Sequence, residues 1–153
     1  MLIHAINNKN LKHAADCLQA GGLVAFPTET VYGLGAVATN STAVARIFSA
    51  KQRPRFNPLI SHFSSAEAAL GAGHRNNAAT RLAEAFWPGA MTLILQRPKN
   101  SLITALASAG TDALAIRVPS HPAAINLLER VKAPVAAPSA NPSGGISPST
   151  ASH

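Results

Sequence analysis

The chain has 153 residues, 47% of them hydrophobic and only 12% charged, and its 13 Lys and Arg against 6 Asp and Glu give a formal net charge of +7. These proportions exclude disordered, collagen-like and coiled-coil chains, and no apolar run approaches the roughly 20 residues of a membrane span. The single cysteine, Cys17, excludes an internal disulfide and a cysteine zinc cage. We therefore expect one domain over residues 1–153, in a reducing cytoplasm and not in a membrane.

Hydrophobic spacing and helix-capping residues predict strands alternating with helices in the first third of the chain. The basic stretch from Lys51 to Pro58 contains two prolines, so we expect it to be an exposed loop. The predicted elements before it are a strand at 2–6, a helix capped by Asn8 and ending near Ala20, a strand at 23–26, a polar glycine-containing segment at 28–35 and a helix that begins at Asn40 or Ser41.

The same patterns continue to about residue 137, and the order of the elements predicts an α/β fold with a mixed sheet. The tail at 138–153 is rich in Ser, Pro and Gly, and its helix-start pattern at 147–150 is followed by no helix. We therefore expect the domain to be incomplete at its C-terminus. The predicted elements are strands at 59–63, 91–96, 114–118 and 135–137 and helices at 64–70, 77–87 and 122–132.

The acidic residues and histidines limit the chemistry that the chain can perform by itself. Only Glu29 and Asp112 lie outside helix-like stretches, so a two-carboxylate hydrolase or an all-protein magnesium cage lacks ligands. A metal would have to arrive on the phosphates of a substrate. The histidines show no metal-binding pair at helical spacing. Residues 33–38 fit the dinucleotide fingerprint G-x-G-x-x-A, but the helix cap follows the motif and no acid lies about 20 residues later, so we reject that interpretation.

Four polar clusters beside predicted strands are the candidates for ligand binding. The three cations between residues 51 and 55 repel one another unless an anion lies among them, although a solvated basic loop is the alternative. Ser139 and Asn141 suit hydrogen bonds to phosphate oxygens or a base, although ordinary turn chemistry also explains them. Arg117 lies inside a predicted strand, where a half-buried guanidinium requires a carboxylate or phosphate partner. The clusters are residues 27–35, residues 51–59 with His62, residues 117–119, and residues 137–144 with Ser147 beyond.

Five sequence blocks carry a resemblance that covers nearly the whole chain. In this order and spacing they resemble the YrdC-type threonylcarbamoyl-AMP synthase family. The resemblance implies a twisted mixed sheet flanked by helices, with a concave basic cavity. The blocks are FPTETVYGLG (26–35), KQRPRFNPL (51–59) with His62, WPGAMTL (87–93), IRVPSHP (116–122) and APSANPSG (137–144).

The resemblance also implies a reaction and its partners. Members of the family condense L-threonine, bicarbonate and ATP into L-threonylcarbamoyladenylate and pyrophosphate. The product feeds the tRNA threonylcarbamoyl-transfer machinery that makes threonylcarbamoyladenosine. Mg²⁺ carried with ATP agrees with the shortage of acids, since the protein then needs to supply only positioning and positive charge.

The expected site residues follow from the matching blocks, residue by residue. Lys51 and Arg53 are expected to be catalytic, while Glu29 and Tyr32 lie beside the cavity as ligand contacts or as support. Trp87-Pro88-Gly89 is expected to be a helix stop with core packing. The residues that match the ATP site are Lys51, Arg53, Asn57, Ala113, Ser139, Asn141 and Ser147, and those that match the threonine site are Thr30, His62, Arg117 and Ala137.

Two alternatives to this enzyme remain open. A non-catalytic module that binds double-stranded RNA or tRNA agrees with the net charge of +7, but aromatic residues are only 5% of the chain, which is poor for stacking bases. A carbamoyl-transfer module of the hydrogenase-maturation type shares the domain. Proteins of that type also carry zinc-finger segments, against which the single cysteine argues.

Overall fold

The computed structural model describes residues 3–54 and 56–153, in which strands and helices alternate along the chain. Within these residues the strands are β1 (Val24–Phe26), β2 (Gly33–Val37), β3 (Ile60–His62), β4 (Leu93–Gln96), β5 (Ala113–Arg117) and β6 (Val135–Ala136). The helices are α1 (Asn8–Gln19), α2 (Ser41–Lys51), α3 (Ala66–Gly71), α4 (Asn77–Phe86) and α5 (Pro122–Val131).

The strands form one six-stranded sheet in the order β1-β2-β6-β3-β5-β4. Strands β3 and β5 are parallel, and the other neighbouring pairs are antiparallel. The parallel register sets His62 opposite Arg117, and the antiparallel register sets His62 opposite Val135. The predicted α/β fold with a mixed sheet is therefore confirmed, and the sheet brings two predicted site residues to adjacent positions.

The two faces of the sheet pack against different helices. One face packs with α2, α3 and α4 and includes Leu114 and Ile116 of β5. The other packs with α1 and α5, where it includes Phe26 of β1 and Val135 of β6. Because side chains alternate along a strand, Arg117 points to this second face. The candidate site is therefore on the side of the sheet that α1 and α5 partly cover.

Side-chain caps explain where four of the helices begin in the described chain. Asn40 accepts a hydrogen bond from the backbone N–H three residues later, at 3.0 Å, and so begins α2. Asn7, Ser65 and Asn76 cap α1, α3 and α4 in the same way. These signals are local in sequence, which is why the predicted helices are confirmed to within two residues. The first cap is Asn7, however, and not the expected Asn8.

Three predictions are wrong in the described residues: the strand at 2–6, the irregular segment at 28–35 and the exposed loop that begins at Lys51. Residues 3–6 form no strand, and Leu2 lies outside the described residues. Strand β2 occupies part of the segment predicted to be irregular, because its glycines hide the strand pattern. A Cβ on Gly35 would lie 2.7 Å from Val135 Cγ1 and 2.8 Å from the Phe26 ring, so only glycine fits there. Lys51 ends α2 instead of opening an exposed loop.

The tail after β6 is bound to the segment that leads into β2. Leu34 N donates to Pro138 O at 2.9 Å, and Ala140 N donates to Tyr32 O at 2.8 Å. Tyr32 N donates to Pro148 O at 2.9 Å, and Pro148 is buried. These backbone hydrogen bonds hold the serine- and proline-rich segment against the sheet.

Candidate functional site

The second face of the sheet is half open over β3, β5 and β4. Ile60, Ala115 and Ile94 lie side by side in register on these strands. Ile94 is 65% exposed and the other two are half-buried, whereas Leu114 and Ile116 on the opposite face are buried. A ligand on this open surface would lie beside the polar side chains that end β3 and β5.

His62 ends β3 with a buried, neutral ring. The residue is 3% exposed, and its ring is edge-on to Phe26 with 6.1 Å between the ring centroids. Its Nδ1 has no hydrogen-bond partner among the described residues. Burial, followed by the positive charge of Arg117, lowers the pKa of His62 to about 4. At neutral pH the imidazole is therefore uncharged and offers an unpaired nitrogen next to a cation.

Arg117 ends β5 with its guanidinium held by three neighbours. Nη2 donates to Glu29 Oε1 at 2.7 Å and to Thr30 Oγ1 at 3.3 Å, while Nε donates to Gly89 O at 3.1 Å. The side chain is 8% exposed, so its geometry is fixed by partners and not by solvent. The sequence predicts a carboxylate or phosphate partner for this strand residue, and Glu29 is one such partner.

Glu29 joins the segment after β1 to the segment after β5. Its Oε2 accepts a hydrogen bond from Ser120 N at 3.0 Å, while Oε1 accepts from Arg117. Burial tends to raise the pKa of the Glu29 carboxyl, but hydrogen bonds from Arg117 and backbone N–H groups, with the charge of Arg117, lower it overall. Glu29 is therefore ionised at neutral pH and supports Arg117 directly.

Lys51 is the last residue of α2 and is buried, with 3% exposure. Its Nζ donates to Ser139 O at 2.5 Å and also to Asn141 O, while Ser143 N donates back to Lys51 O at 3.1 Å. Burial, with a smaller effect from the charge of Arg53, lowers the pKa of Lys51. The expectation of an exposed lysine is wrong, because the amine ties the end of α2 to the tail.

Arg53 is half-buried and holds its own loop together. Its Nε donates to Asn57 O at 3.2 Å, and its Nη2 donates to Pro58 O at 3.1 Å. Asn57 itself is exposed. Arg55, the third cation of the predicted cluster, lies outside the described residues. Lys51 and Arg53 therefore start from one helix end but contact different segments.

Asn141 combines a bound amide nitrogen with an unpaired oxygen. Its Nδ2 donates to Pro142 O at 2.8 Å and to Gly145 O at 2.9 Å. Its Oδ1 is buried and has no hydrogen-bond partner among the described residues. Ser139 forms an antiparallel bridge with Gly33, which anchors this loop at the start of β2. The loop thus presents a fixed backbone and one free acceptor.

Nine of the eleven predicted residues fall into two groups and three outlying positions, whereas Arg53 holds the loop at Asn57 and Pro58, and Ala137 follows β6. Thr30, His62 and Arg117 form one group on the open face, and Lys51, Ser139 and Asn141 form the other. The outlying positions are Asn57 in the loop before β3, Ser147 in the exposed part of the tail, and Ala113 at the start of β5. Ala113 shares the face of Arg117 but lies about 13 Å along the strand from it. Ala137 follows β6, and its N–H donates to Ile60 O at 2.9 Å.

The contact between Gly89 and Arg117 is the part of the site that sequence reasoning misses. Trp87 is buried and its Nε1 donates to Met91 O at 2.7 Å, as a helix stop with core packing requires. The neighbouring Gly89 carbonyl nevertheless accepts from Arg117. The available signal is that the WPGAMTL block belongs to the family pattern although it contains no ionisable side chain.

Two cavities lie beside the candidate site and not within it. One, of about 710 Å³, is formed by the ends of α3 and α5 and residues 98–103. The other, of about 510 Å³, lies against α1 and reaches the candidate site at Phe26, Pro27, Tyr32 and Leu34. Among residues 3–54 and 56–153, no three His, Cys, Asp or Glu side chains gather as metal ligands. No helix in the same part of the chain has the length and apolar character to cross a membrane.

Comparison with known proteins identifies the family. Residues 16–153 match the family model Sua5_yciO_yrdC, which carries the description "Telomere recombination". The chain belongs to the Sua5/YciO/YrdC family. The resemblance drawn from the five sequence blocks is therefore confirmed, and with it the twisted mixed sheet flanked by helices.

Relatives within the Sua5/YciO/YrdC family share both sequence and fold with this chain. It is 47% identical over 149 residues to the threonylcarbamoyl-AMP synthase of Pyrococcus abyssi, covering 97% of this chain and 43% of that protein. It is 45% identical over 148 residues to the enzyme of the same name from Bacillus subtilis, covering 96% of this chain and 42% of the relative. The crystal structure of P. abyssi Sua5 complexed with L-threonine superposes with a TM-score of 0.92 at 44% identity, covering 98% of this chain and 44% of that one.

The similarity covers nearly all of this chain but only part of each relative. The chain spans less than half the length of the two synthases and of the Sua5 structure that it matches. The similarity therefore concerns part of these longer relatives.

Proposed function

We propose that this chain provides the catalytic domain of a threonylcarbamoyl-AMP synthase. It would condense L-threonine, bicarbonate and ATP into L-threonylcarbamoyladenylate and pyrophosphate, in the cytoplasm, and pass the product to the tRNA threonylcarbamoyl-transfer machinery. The observation that carries the proposal is the buried Arg117 beside neutral His62 on the open sheet face, in a chain that superposes on Sua5 complexed with L-threonine at a TM-score of 0.92.

The threonine site would be built on Arg117. Its Nε and Nη2 are already bound within the chain, and its Nη1 makes no hydrogen bond with a described residue. The Nη1 edge is thus the one that can bind the carboxylate of threonine. His62 Nδ1 and the Thr30 hydroxyl are suited to the polar atoms of threonine, and the backbone of Ala137 lies on the neighbouring strand end.

The ATP site would be built on the end of α2 and the tail. Lys51 and Arg53 provide the positive charge, and Ser139 and Asn141 provide hydrogen-bonding groups on the loop that Lys51 holds. The buried Oδ1 of Asn141 is an acceptor without a partner, as an adenine amino group or a ribose hydroxyl requires. We assign Asn57, Ala113 and Ser147 to the outer part of the same site, as the family pattern implies.

The proposed reaction needs no covalent bond between the substrates and the protein. Bicarbonate takes up a proton and loses water to give carbon dioxide, which adds to the threonine amine as that nitrogen releases a proton, so that a carbamate forms. A carbamate oxygen then attacks the α-phosphorus of ATP, and the bond from that phosphorus to the pyrophosphate oxygen breaks, so that pyrophosphate leaves. Negative charge grows on the phosphate oxygens during the attack, and the cations Lys51 and Arg53 would stabilise it. Arg117 and His62 would hold threonine so that the carbamate faces the phosphorus.

Magnesium would enter this site on the triphosphate. The chain has six acidic residues, and Glu29 is engaged with Arg117 and Ser120. Phosphate oxygens are ordinary Mg²⁺ ligands and need at most one or two carboxylates beside them. When bound there, Mg²⁺ would neutralise part of the charge on the phosphates.

Pyrophosphate release tests the proposal. The purified chain is incubated with L-threonine, bicarbonate and ATP, and with each of them omitted in turn. We expect pyrophosphate only when all three are present, and a loss of at least about 100-fold in Arg53→Ala because a charge-stabilising group is removed. Arg81→Ala, which removes an exposed arginine of α4, is the matched control and should leave the rate unchanged. Pyrophosphate release that does not depend on threonine would refute the proposed substrate.

A further inference from the structure

We infer that Glu29 is a positioning residue for the amino-acid substrate, which acts by fixing the guanidinium of Arg117 so that its Nη1 edge faces the substrate carboxylate. This inference rests on the proposed function, because it assigns a role within the same site. The sequence alone leaves Glu29 either as a ligand contact or as support. The contacts of its two carboxylate oxygens decide between these roles.

The geometry of Glu29 is that of a two-ended clamp. Oε1 accepts a hydrogen bond from Arg117 Nη2 at 2.7 Å, and Oε2 accepts one from the backbone N–H of Ser120 at 3.0 Å. Both oxygens are therefore used within the chain, and the side chain is only 21% exposed. A carboxylate held at both oxygens cannot swing toward a ligand without giving up a charge-assisted hydrogen bond.

The clamp also determines which part of Arg117 remains for a ligand. Glu29 and Thr30 both accept from Nη2, and Gly89 accepts from Nε. A substrate carboxylate at Nη1 would add to these contacts instead of displacing Glu29. Without Glu29, the arginine would be a nearly buried cation beside a neutral His62, and its rotamer would be set by the weaker Thr30 and Gly89 contacts alone.

The competing interpretation is a gate, in which Glu29 occupies the place of the substrate carboxylate and must leave before threonine binds. A gate predicts that removal of the Glu29 charge tightens threonine binding. The clamp predicts that it weakens binding. The engagement of Ser120 N with the second oxygen favours the clamp, since it gives Glu29 a fixed position that does not depend on Arg117.

The test measures the dissociation constants of L-threonine and of ATP separately, by calorimetry, for the wild-type chain and for Glu29→Gln. We expect the threonine constant to rise about tenfold or more, as the loss of a hydrogen bond between charged groups implies, while the ATP constant changes less than about twofold. Glu67→Gln is the matched control, because it removes an exposed carboxylate that accepts from Arg75 at 3.2 Å. It should change neither constant.

The outcomes separate this inference from the proposed function. If the wild-type chain binds no threonine, both the role of Glu29 and the proposed function are overturned. Wild-type chain that binds threonine, with an unchanged or tighter constant in Glu29→Gln, overturns the clamp alone. Equal weakening of threonine and ATP binding, with a lower unfolding midpoint, would mean a merely structural role and also overturns it. If Glu29→Gln does not fold, the same two dissociation constants are measured for Glu29→Asp. Aspartate keeps the charge but is too short to reach Arg117 and Ser120 together, so threonine binding alone should again weaken.

Discussion

Replacing Lys51 with methionine is expected to loosen the loop that carries Ser139 and Asn141. Methionine keeps the length and the apolar stem of the buried side chain but removes the amine. The carbonyls of Ser139 and Asn141 then lose the donor that joins them to the end of α2. Because this loop would carry the nucleotide, stability and ATP affinity should fall together.

The magnitude follows from two opposing contributions. Each hydrogen bond from a charged group contributes about 1.5–3 kcal/mol, so two bonds amount to about 3–6 kcal/mol. Removal of a buried ammonium relieves its desolvation cost, which the lowered pKa of Lys51 reflects, and this offsets part of the loss. We expect a net decrease of about 2 kcal/mol in the free energy of unfolding, or about 4–8 °C in the melting temperature of a domain of this size.

Thermal unfolding and ATP calorimetry of Lys51→Met, with Lys99→Met as the control at an exposed loop lysine, check this prediction. The pKa of Lys51 lies below its ordinary value of 10.5 in the folded chain, so the unfolded chain binds more protons between the two values. The free energy of unfolding of the wild-type chain should therefore increase relative to that of Lys51→Met as pH rises toward 10.5. A Lys51→Met chain with wild-type melting temperature and wild-type ATP affinity would refute the reasoning.

Three further predictions concern the sheet that carries the site. Arg117→Lys keeps the charge but loses the planar fork, so threonine affinity should fall about tenfold or more in calorimetry. The pKa of His62 is about 4 in the folded chain against an ordinary 6.5, so stability should fall as pH drops through this interval. In urea unfolding, His62→Gln should weaken this dependence and leave the smaller part that comes from Glu29, whose pKa is also lowered in the folded chain. Gly35→Ala places a Cβ 2.7 Å from Val135 Cγ1 and should cost about 1–3 kcal/mol of stability in the same assay.

Each of these three predictions has its own contradicting result. Threonine affinity unchanged in Arg117→Lys would mean that a point charge suffices and that the fork has no role. A wild-type stability that stays constant from pH 6.5 to pH 4 would mean that His62 is not a buried neutral imidazole in solution. For the glycine prediction, Gly71→Ala is the control, since nothing lies within 4 Å of a Cβ added there. Equal effects of the two glycine substitutions would contradict the close packing of β2.

The helices are predictable from sequence because their signals are local. Asn40 caps α2 through its own side chain, and the apolar spacing that follows identifies the buried face without knowledge of the rest of the chain. Strand β2 is not predictable in this way. Its glycines are required by the Phe26 ring and by β6, and neither contact can be known before the sheet is assembled.

The candidate site residues are proposed from the sequence as a set, but their surroundings are not predictable in this way. Charge density suggests an exposed loop around Lys51, yet its amine is buried against two carbonyls from the tail. Likewise, nothing in the sequence pairs Glu29 with Arg117, because that contact depends on how the segment after β1 crosses the sheet. The sequence pattern identifies which residue types are needed, and the tertiary contacts determine what each one touches.

The contacts that build the candidate site determine when it can form during synthesis of the chain. The bond from Lys51 to Ser139 and the pair between Glu29 and Arg117 each join residues 88 positions apart. On the ribosome, α1, β1 and α2 can form long before their partners in the tail have been synthesised, whereas the site cannot. In the finished protein, opening of the tail alone would separate Ser139 and Asn141 from Lys51 while the sheet stays intact. Binding competence should thus be the last property acquired during synthesis and the first one lost on warming.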